Sequence, residues 1–384
     1  VIGLGKVGLP LACTLVRRWH GVSCWDINDD TLDMIDLHIS PIDEPGVQDT
    51  LDTYGEQFKI VTPQEMARTC DAVYVVVPTP SLEDGSFSAL HVEHALSMLN
   101  EGLEYRITGK LVVVLVSTVS PGTCDDLLRP FDLARYMEFI YAPTFIALGS
   151  VIHDLTFPRV QLVGFRGSLS QVATDLFSWI SNVHPMTYRE AEIAKLAFNA
   201  YLTLKITFAN HIGWLAHMLG CDADTILSAI GDDERIGHEY LRAGGTYGGP
   251  CLPRDNAALT HAYGDNVFPM FAWTDKHNHN HLMFIADQLM ELGDDLTFNV
   301  VGLSYKTGVT HTIESFGAWL RELLEDHGWR YVDEQREADV IIIAQPVGDD
   351  IELRDSTVHV FDVWRARHDL QDKCEYVAFG GTPS

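Results

Sequence analysis

The 384-residue chain is poor in positive charge. Lys and Arg number 26 against 54 Asp and Glu, a formal net charge of −28 at pH 7, and a field of that sign repels phosphate backbones and anionic lipid. Nucleic acid and membrane surfaces are thereby disfavoured as main partners, the acidity reads first as a solvated surface that needs no partner, and an anionic ligand must meet a locally basic pocket. Long apolar runs are missing as well: the strongest, Leu111 to Val116, falls far short of the roughly 20 residues that a membrane span needs. The seven cysteines (Cys13, Cys24, Cys70, Cys124, Cys221, Cys251, Cys374) are odd in number, scattered, and contain no Cys-x-x-Cys pair, which argues against a disulfide framework and for reduced thiols, as in a cytoplasm. Repeats and low-complexity tracts are not seen either. What is present is 46% hydrophobic residues, enough for packed cores, in a length that at about 150 residues per domain predicts two or three domains.

The pattern predicts an α/β fold: two Rossmann-type parallel-sheet domains joined by a long central helix and a helical domain. From residue 1 to 187 apolar strands alternate with amphipathic stretches, at Val22 to Trp25, Ala72 to Val77, Leu111 to Val116, Phe139 to Ala142 and Val160 to Val163, which is the signature of a parallel sheet with crossover helices. Val1 stands two residues before a glycine turn, so the first strand is expected to begin upstream. Residues 188–292 read as a helical domain: a long helix or two abutting ones from Glu190 to Gly220, a helix near Asp224 to Ala229, a Gly/Pro-rich loop from Ala243 to Pro253, and further helix to about Leu292. Residues 293–384 return to strands (Phe298 to Leu303, Tyr331 to Val332, Val340 to Ala344, Val358 to Val363) with a helix from Ser315 to His327, a smaller α/β domain.

Gly3-x-Gly5-x-Val7-Gly8 is a G-x-G-x-x-G turn, in which glycines let the backbone approach a pyrophosphate at a helix N-terminus. Asp26 closes the next strand at the spacing where a carboxylate holds both adenosine ribose hydroxyls and repels a 2′-phosphate, so NAD is favoured over NADP. Val77-Pro78-Thr79-Pro80 and Val116-Ser117-Thr118-Val119 each end an apolar run, at the sheet edge where open α/β sheets bind ligands. Thr118 is either an ordinary turn residue or a contact near the nicotinamide.

On the long helix Lys195, Asn199, Thr203, Ile206 and Asn210 share one face. A lysine and an amide one turn apart on an otherwise apolar helix need partners, and such a lysine can hold an oxyanion or accept a proton. In Tyr247-Gly248-Gly249-Pro250-Cys251-Leu252-Pro253-Arg254-Asp255 a thiol sits in a glycine-opened, proline-fixed loop with a carboxylate four residues on. Buried free cysteines are common, but here close approach of a substrate is built in, and a nearby cation or helix N-terminus would favour thiolate. Together these groups point to oxidation through a thiohemiacetal and a thioester. His277, His279 and His281 alternate, yet no carboxylate or cysteine completes a site at useful spacing, so the stretch reads as polar surface and no metal is expected.

The chain resembles the nucleotide-sugar 6-dehydrogenases, the UDP-glucose dehydrogenase family, from end to end. Glu44-Pro45-Gly46, Pro78-Thr79-Pro80, Asp84-Gly85, Ser117-Thr118-Val119, Lys195-x-x-x-Asn199 with Lys205, Arg235-Ile236-Gly237, the cysteine loop and Tyr305-Lys306 stand in the family's order. The resemblance implies that Cys251 takes up a C6 aldehyde, that Lys195 and Asn199 steady the oxyanion, and that Asp255 with Thr118 supports water or proton transfer. It implies NAD contacts from Gly3, Gly5, Val7, Gly8, Asp26, Pro78, Thr79 and Thr118. A UDP-sugar would be held by Phe145, Ile146, Lys195, Asn199, Tyr240, Gly248 and Lys306, with Arg235 reaching it across a homodimer or higher homo-oligomer built on the long helix. UDP-glucose would become UDP-glucuronate, as in polysaccharide biosynthesis, with two NAD reduced per turnover.

Two departures stand out. Where the family reads Pro-Glu-Phe and a second glutamate four residues later, this chain has Pro143-Thr144-Phe145 and Leu148; the arginine that the family places ahead of Glu314-Ser315 is Ile313. The first glutamate is assigned to thioester hydrolysis. A variant that stalls at the thioester or stops at the aldehyde is therefore one alternative, and a non-catalytic nucleotide-sugar-binding paralogue is another. A simple β-hydroxyacid dehydrogenase would share the glycine turn and the lysine–asparagine helix, but needs neither the cysteine loop nor the C-terminal domain.

Overall fold

The apolar run from Leu111 is buried on both sides, and its side chains sort by parity. Val112, Val114 and Val116 enter one core with Leu9, Val16, Ile35 and Val151, whereas Leu111, Val113 and Leu115 enter another with Leu96, Leu99 and Met137. Successive strand residues face opposite ways, so this strand is the middle layer of a three-layer unit. The computed structural model describes residues 1–19, 21–107, 109–129, 136–263, 269–346 and 351–381, and the chain divides into two compact units, Val1–Leu196 and Ala197–Ser384.

The described strands of the first unit are β1 (Val22–Cys24), β2 (Phe58–Ile60), β3 (Ala72–Val75), β4 (Leu111–Leu115), β5 (Met137–Tyr141), β6 (Gln161–Gly164) and β7 (Val183–Met186). Strands β3 to β7 lie in sequence order in one sheet, and β1 pairs with β2. Ile2 makes parallel bridges to Val75, through Ile2 N–H to Tyr74 O and Val76 N–H to Ile2 O, each 2.8 Å, and to Trp25, through Trp25 N–H to Val1 O at 3.0 Å and Gly3 N–H to Trp25 O at 2.9 Å. It therefore stands between β1 and β3, the central place from which the glycine turn departs. Pairing is parallel except for β5 and β6, which meet antiparallel at Tyr141 and Gly164.

The second unit holds β8 (Thr297–Val301), β9 (Arg330–Tyr331), β10 (Val340–Ile343), β11 (His359–Asp362) and β12 (Glu375–Ala378), in the order β12-β11-β10-β8-β9 and parallel throughout. Parity again assigns the core: Val340 and Ile342 pack with Phe298, Phe316 and Leu320, Ile341 and Ile343 with Val358 and Val360. Ahead of this sheet run the helices Ala223–Gly231, Leu252–Tyr263 and Pro269–Met290. The single helix Tyr188–Leu219 replaces the alternative of two abutting ones.

Both Rossmann-type sheets and the long helix were expected. Three strands were not: β2, β7 and β12 are short, and their burial alternates or fades because they lie at sheet edges with residues such as Lys59, His184 and Glu375 facing out. The all-parallel first sheet is corrected by the β5–β6 pair. The further helix expected between Pro253 and about Leu292 takes the form of Leu252–Tyr263 and Pro269–Met290, with 264–268 outside the described residues.

Candidate active site

In the first unit Gly8 opens the helix Gly8–Trp19, with Leu9 N–H on Gly5 O at 3.1 Å. The three glycines have different causes. Gly3 has φ of +89°, and a Cβ on it would lie 2.3 Å from Val76 O; one on Gly8 would lie 1.9 Å from Gly3 O. Those two are demanded by the chain's own packing. Gly5 has an ordinary φ and nothing within 4 Å of where its Cβ would stand, so the space it leaves is available to a ligand at the helix N-terminus. Asp26, just past β1, is held at both oxygens: Leu4 N–H donates to Oδ2 at 2.6 Å and Asn28 N–H to Oδ1 at 2.9 Å. A cradle with room at Gly5 and a fixed carboxylate beside it fits NAD: pyrophosphate over Gly5, adenosine ribose on Asp26. Val7, in the turn between them, contributes the carbonyl that accepts Leu11 N–H at 3.0 Å.

At the ends of β3 and β4 the two predicted loops are joined. Thr79 Oγ donates to Thr118 O at 2.7 Å and Ser117 Oγ to Val77 O at 2.6 Å. Thr79 is buried, Thr118 half-buried, and Pro78 lies between the tethered residues Val77 and Thr79.

The loop after β5 carries the two substituted positions. Lys195 Nζ donates to the backbone carbonyl of Thr144 at 2.9 Å and lies 4.7 Å from the centre of the Phe145 ring. Ile146 and Leu148 instead pack against the core on the Val112 side. The loop is fastened by Glu44, 8% exposed, which accepts Gly149 N–H and Val151 N–H, both at 2.9 Å. Asp154 accepts Ala147 N–H at the same length. A second buried carboxylate, Glu192 on the long helix, accepts Gly122 N–H at 2.6 Å and Cys124 N–H at 2.7 Å; burial raises its pKa against those bonds. The sequence offered Glu44 only as part of a motif, and gave Glu192 no special mark.

In the second unit Cys251 is exposed and stands directly before the helix Leu252–Tyr263, its carbonyl accepting Asp255 N–H at 2.9 Å. The thiol thus lies where a helix N-terminus favours negative charge. Asp255, 1% exposed, receives Asn199 Nδ2 at 2.6 Å, and Arg254 lies 3.7 Å from its other oxygen. One turn on, Thr203 Oγ approaches Asn256 Oδ1 at 3.4 Å. The buried polar face of the long helix is Lys195, Asn199, Thr203, Thr207 and Asn210; Thr207 takes the place expected for Ile206, since its position lies four residues beyond Thr203.

The loop before Cys251 is held peptide by peptide. Asn210 accepts Gly244 N–H and donates to Gly245 O; Asn278 accepts Tyr247 N–H and donates to Tyr247 O. Arg365, 3% exposed, donates to Ala243 O at 2.6 Å while its fork engages both oxygens of Asp224. A Cβ on Gly248 would lie 1.7 Å from Glu314 O, so only glycine passes there. Asp275 accepts Tyr247 OH at 2.5 Å and Asn256 Nδ2 at 2.7 Å, with its pKa raised by burial.

Among the remaining expected contacts, Arg235 is exposed and folded onto Asp233, Nη2 to Oδ2 at 2.6 Å. Lys205 Nζ reaches Ile236 O at 3.0 Å and Gly237 O at 3.1 Å. Tyr240 is half exposed with φ of 62°, a conformation uncommon outside glycine. Lys306 is exposed beside Ser304, whose Oγ donates to Lys306 O at 3.0 Å. The histidine stretch is polar surface only in part: Lys276 and His279 are exposed, whereas His281 is 1% exposed and Asn278 6%, because residues two apart on a helix face different ways. No group of three or more metal-ligating side chains occurs among the described residues. No described helix is long and apolar enough to cross a membrane.

Taken with the two Rossmann-type sheets, the cradle at Gly5 and Asp26 defines an NAD-linked protein of the dehydrogenase kind. Comparison with known proteins narrows this class. Residues 1–180 match the NAD-binding domain, and residues 189–281 the central domain, of the UDP-glucose/GDP-mannose dehydrogenase family. UDP-glucose 6-dehydrogenase YwqF of Bacillus subtilis is 29% identical over 98% of this chain and 82% of its own. GDP-mannose 6-dehydrogenase of Pseudomonas aeruginosa is 28% identical over 86% of this chain and 79% of its own. A UDP-glucose dehydrogenase structure from the archaeon Pyrobaculum islandicum superposes with a TM-score of 0.87 at 25% identity, covering 100% of this chain and 97% of that one. The chain belongs to the UDP-glucose/GDP-mannose dehydrogenase family, the NAD-dependent nucleotide-sugar dehydrogenases.

Proposed function

We propose that the protein oxidises UDP-glucose, or a close UDP-hexose, at C6 to the uronate. The observation that carries this reading is the placement of Cys251 at a helix N-terminus one turn from an Asp255 carboxylate held by Asn199. NAD would supply the hydride acceptor, two equivalents per sugar: the C6 alcohol loses a hydride and its hydroxyl proton to become the aldehyde, and the thiohemiacetal loses the second hydride. The Cys251 thiolate adds to the C6 aldehyde, forming a C–S bond and moving the carbonyl electron pair onto oxygen, where Lys195 and Asn199 stabilise the charge. Loss of the second hydride leaves a thioester. Water then attacks the carbonyl carbon, the C–S bond breaks, the thiolate leaves, and Asp255 with Thr118 orders the water and its departing proton. Arg235, Tyr240 and Lys306 are assigned to the sugar and its diphosphate, Phe145, Ile146 and Gly248 to the sugar pocket, and Pro78, Thr79 and Val7 to the cofactor.

The same reading divides the chain at 1–187, 188–292 and 293–384, places the protein in the cytoplasm, and makes it a homodimer or higher homo-oligomer. Dimerisation is supported by Tyr201, Phe208 and Leu215, exposed apolar side chains seven residues apart on the long helix.

A second reading is favoured by one observation: no carboxylate stands at residue 144 or 148, and Lys195 meets a backbone carbonyl at Thr144 instead. In that case the reaction stalls at the thioester. The test is NADH formed per UDP-glucose consumed, with the product identified by mass. Continued turnover at two NADH per sugar with free uronate supports the full reaction, one burst of at most two NADH per subunit without free uronate supports the stalled form, and no NADH with any UDP-hexose overturns both.

A further inference from the structure

His281 is the most buried histidine among the described residues, and the chemistry above makes no use of it. Its two nitrogens have defined roles. Trp214 Nε1 can only donate, and it points at Nδ1 over 2.5 Å; Nδ1 therefore accepts, and the proton sits on Nε2, which donates to Gly244 O at 2.6 Å. The ring is thus a neutral bridge between the indole of the long helix and the peptide at which the cysteine loop begins. Trp214 is itself stacked, ring centres 4.6 Å from His211 and 4.9 Å from Phe284, and Phe379 lies 5.3 Å from His281.

Asp275, Asn278 and His281 recur every three residues on the helix Pro269–Met290, and each engages the loop: Asp275 through Tyr247 OH, Asn278 through the Tyr247 peptide, His281 through Gly244. Asp275 also takes Asn256 Nδ2 beyond the cysteine. One helix face therefore grips the chain on both sides of Cys251. Glycines at 244, 245, 248 and 249 make that stretch soft when unsupported, so its shape depends on these bonds.

We infer that His281 is a positioning residue for the Cys251 thiol, acting by fixing the Gly244 peptide from which the loop is launched. The inference builds on the reading of Cys251 as the nucleophile, but the position of the thiol can be read without turnover. Burial is what chiefly disfavours a proton on His281, and the charge of His211, itself hydrogen bonded to His277 at 3.0 Å, acts in the same direction.

The experiment compares His281→Leu, His281→Gln and Trp214→Phe in the full chain. Glutamine can donate from Nε2 to Gly244 O and accept from Trp214 on Oε1; leucine can do neither. The readouts are the rate of Cys251 alkylation by iodoacetamide, followed by peptide mass at a temperature where all variants are folded, and kcat against KM for UDP-glucose and NAD. His281→Leu is expected to lower kcat by about ten- to hundredfold, with KM for NAD unchanged and alkylation altered severalfold, while His281→Gln stays within about twofold of the parent. Equal alkylation and kcat in His281→Leu and the parent overturns the inference, as does His281→Gln failing as badly as leucine. Should His281→Leu not fold, Trp214→Phe decides: it keeps the stacked ring but removes the donor to Nδ1, and unchanged alkylation and kcat in it overturn the inference. A Cys251→Ala variant with full turnover removes the nucleophile reading instead, and leaves the alkylation comparison standing.

Discussion

Asn199 donates its side-chain amide to the carboxylate of Asp255 across 2.6 Å, and both residues are buried. A buried carboxylate that loses a donor bears a desolvation cost of about 1–3 kcal/mol. Asn199→Ala is therefore expected to lower stability by that amount in urea titration and to depress kcat strongly. Asn199→Asp, which sets two carboxylates face to face, should be worse on both counts.

The glycine turn separates folding from binding. Gly8→Ala places a methyl 1.9 Å from Gly3 O and should prevent a folded first unit, whereas Gly5→Ala meets nothing within 4 Å. Gly5→Ala should melt within about 1 °C of the parent and yet bind NAD at least about tenfold more weakly, by fluorescence titration. Equal NAD affinity would mean that the pyrophosphate does not lie there.

Glu44 fastens the loop after β5 through Gly149 and Val151. Glu44→Ala should cost about 2 kcal/mol in equilibrium unfolding, and should raise KM for the sugar more than KM for NAD, because the loop carries the Thr144 carbonyl and the Phe145 ring that meet Lys195.

Burial holds the pKa of His281 at about 4, against 6.5 for the exposed group. Between those values the unfolded chain takes up a proton that the folded chain refuses. The stability contributed by the neutral ring is complete above about pH 6.5 and is lost as pH falls towards 4, about 3 kcal/mol in all. His281→Gln carries no such proton, and its unfolding free energy should fall less between pH 7 and pH 4.5 by most of that amount.

Thr144→Glu places a carboxylate within reach of Lys195. If thioester hydrolysis limits the parent, this variant should turn a burst of at most two NADH per subunit into continued turnover in stopped-flow absorbance; an unchanged time course would show that the parent hydrolyses the thioester by other groups.

Much of this was legible in the residues. The fully apolar run from Leu111, the glycine turn with Asp26, and the Lys195–Asn199 pair at helical spacing mark themselves, because each is a local pattern with one physical cause. The pairing of Asn199 with Asp255, 56 residues apart, could be suspected from residue type but not from spacing. The role of Asp275, Asn278 and His281 was hidden by a competing pattern: His277, His279 and His281 catch the eye as a period of two, whereas the helix reads that stretch in steps of three. Glu44 and Glu192 were harder still, since a carboxylate that accepts backbone N–H groups far along the chain looks, in sequence, like any surface acid. Edge strands such as β7, with His184 and Pro185 exposed, lack the apolar signal on which strand recognition rests.

The two substituted positions are unequal. Thr144 and Leu148 are both half-buried, but Leu148 packs on the apolar cluster, so a glutamate at 144 leaves that packing alone, whereas one at 148 removes an apolar contact and sets a partly desolvated carboxylate over the core. Restoring both acids therefore asks for repacking at one position and none at the other.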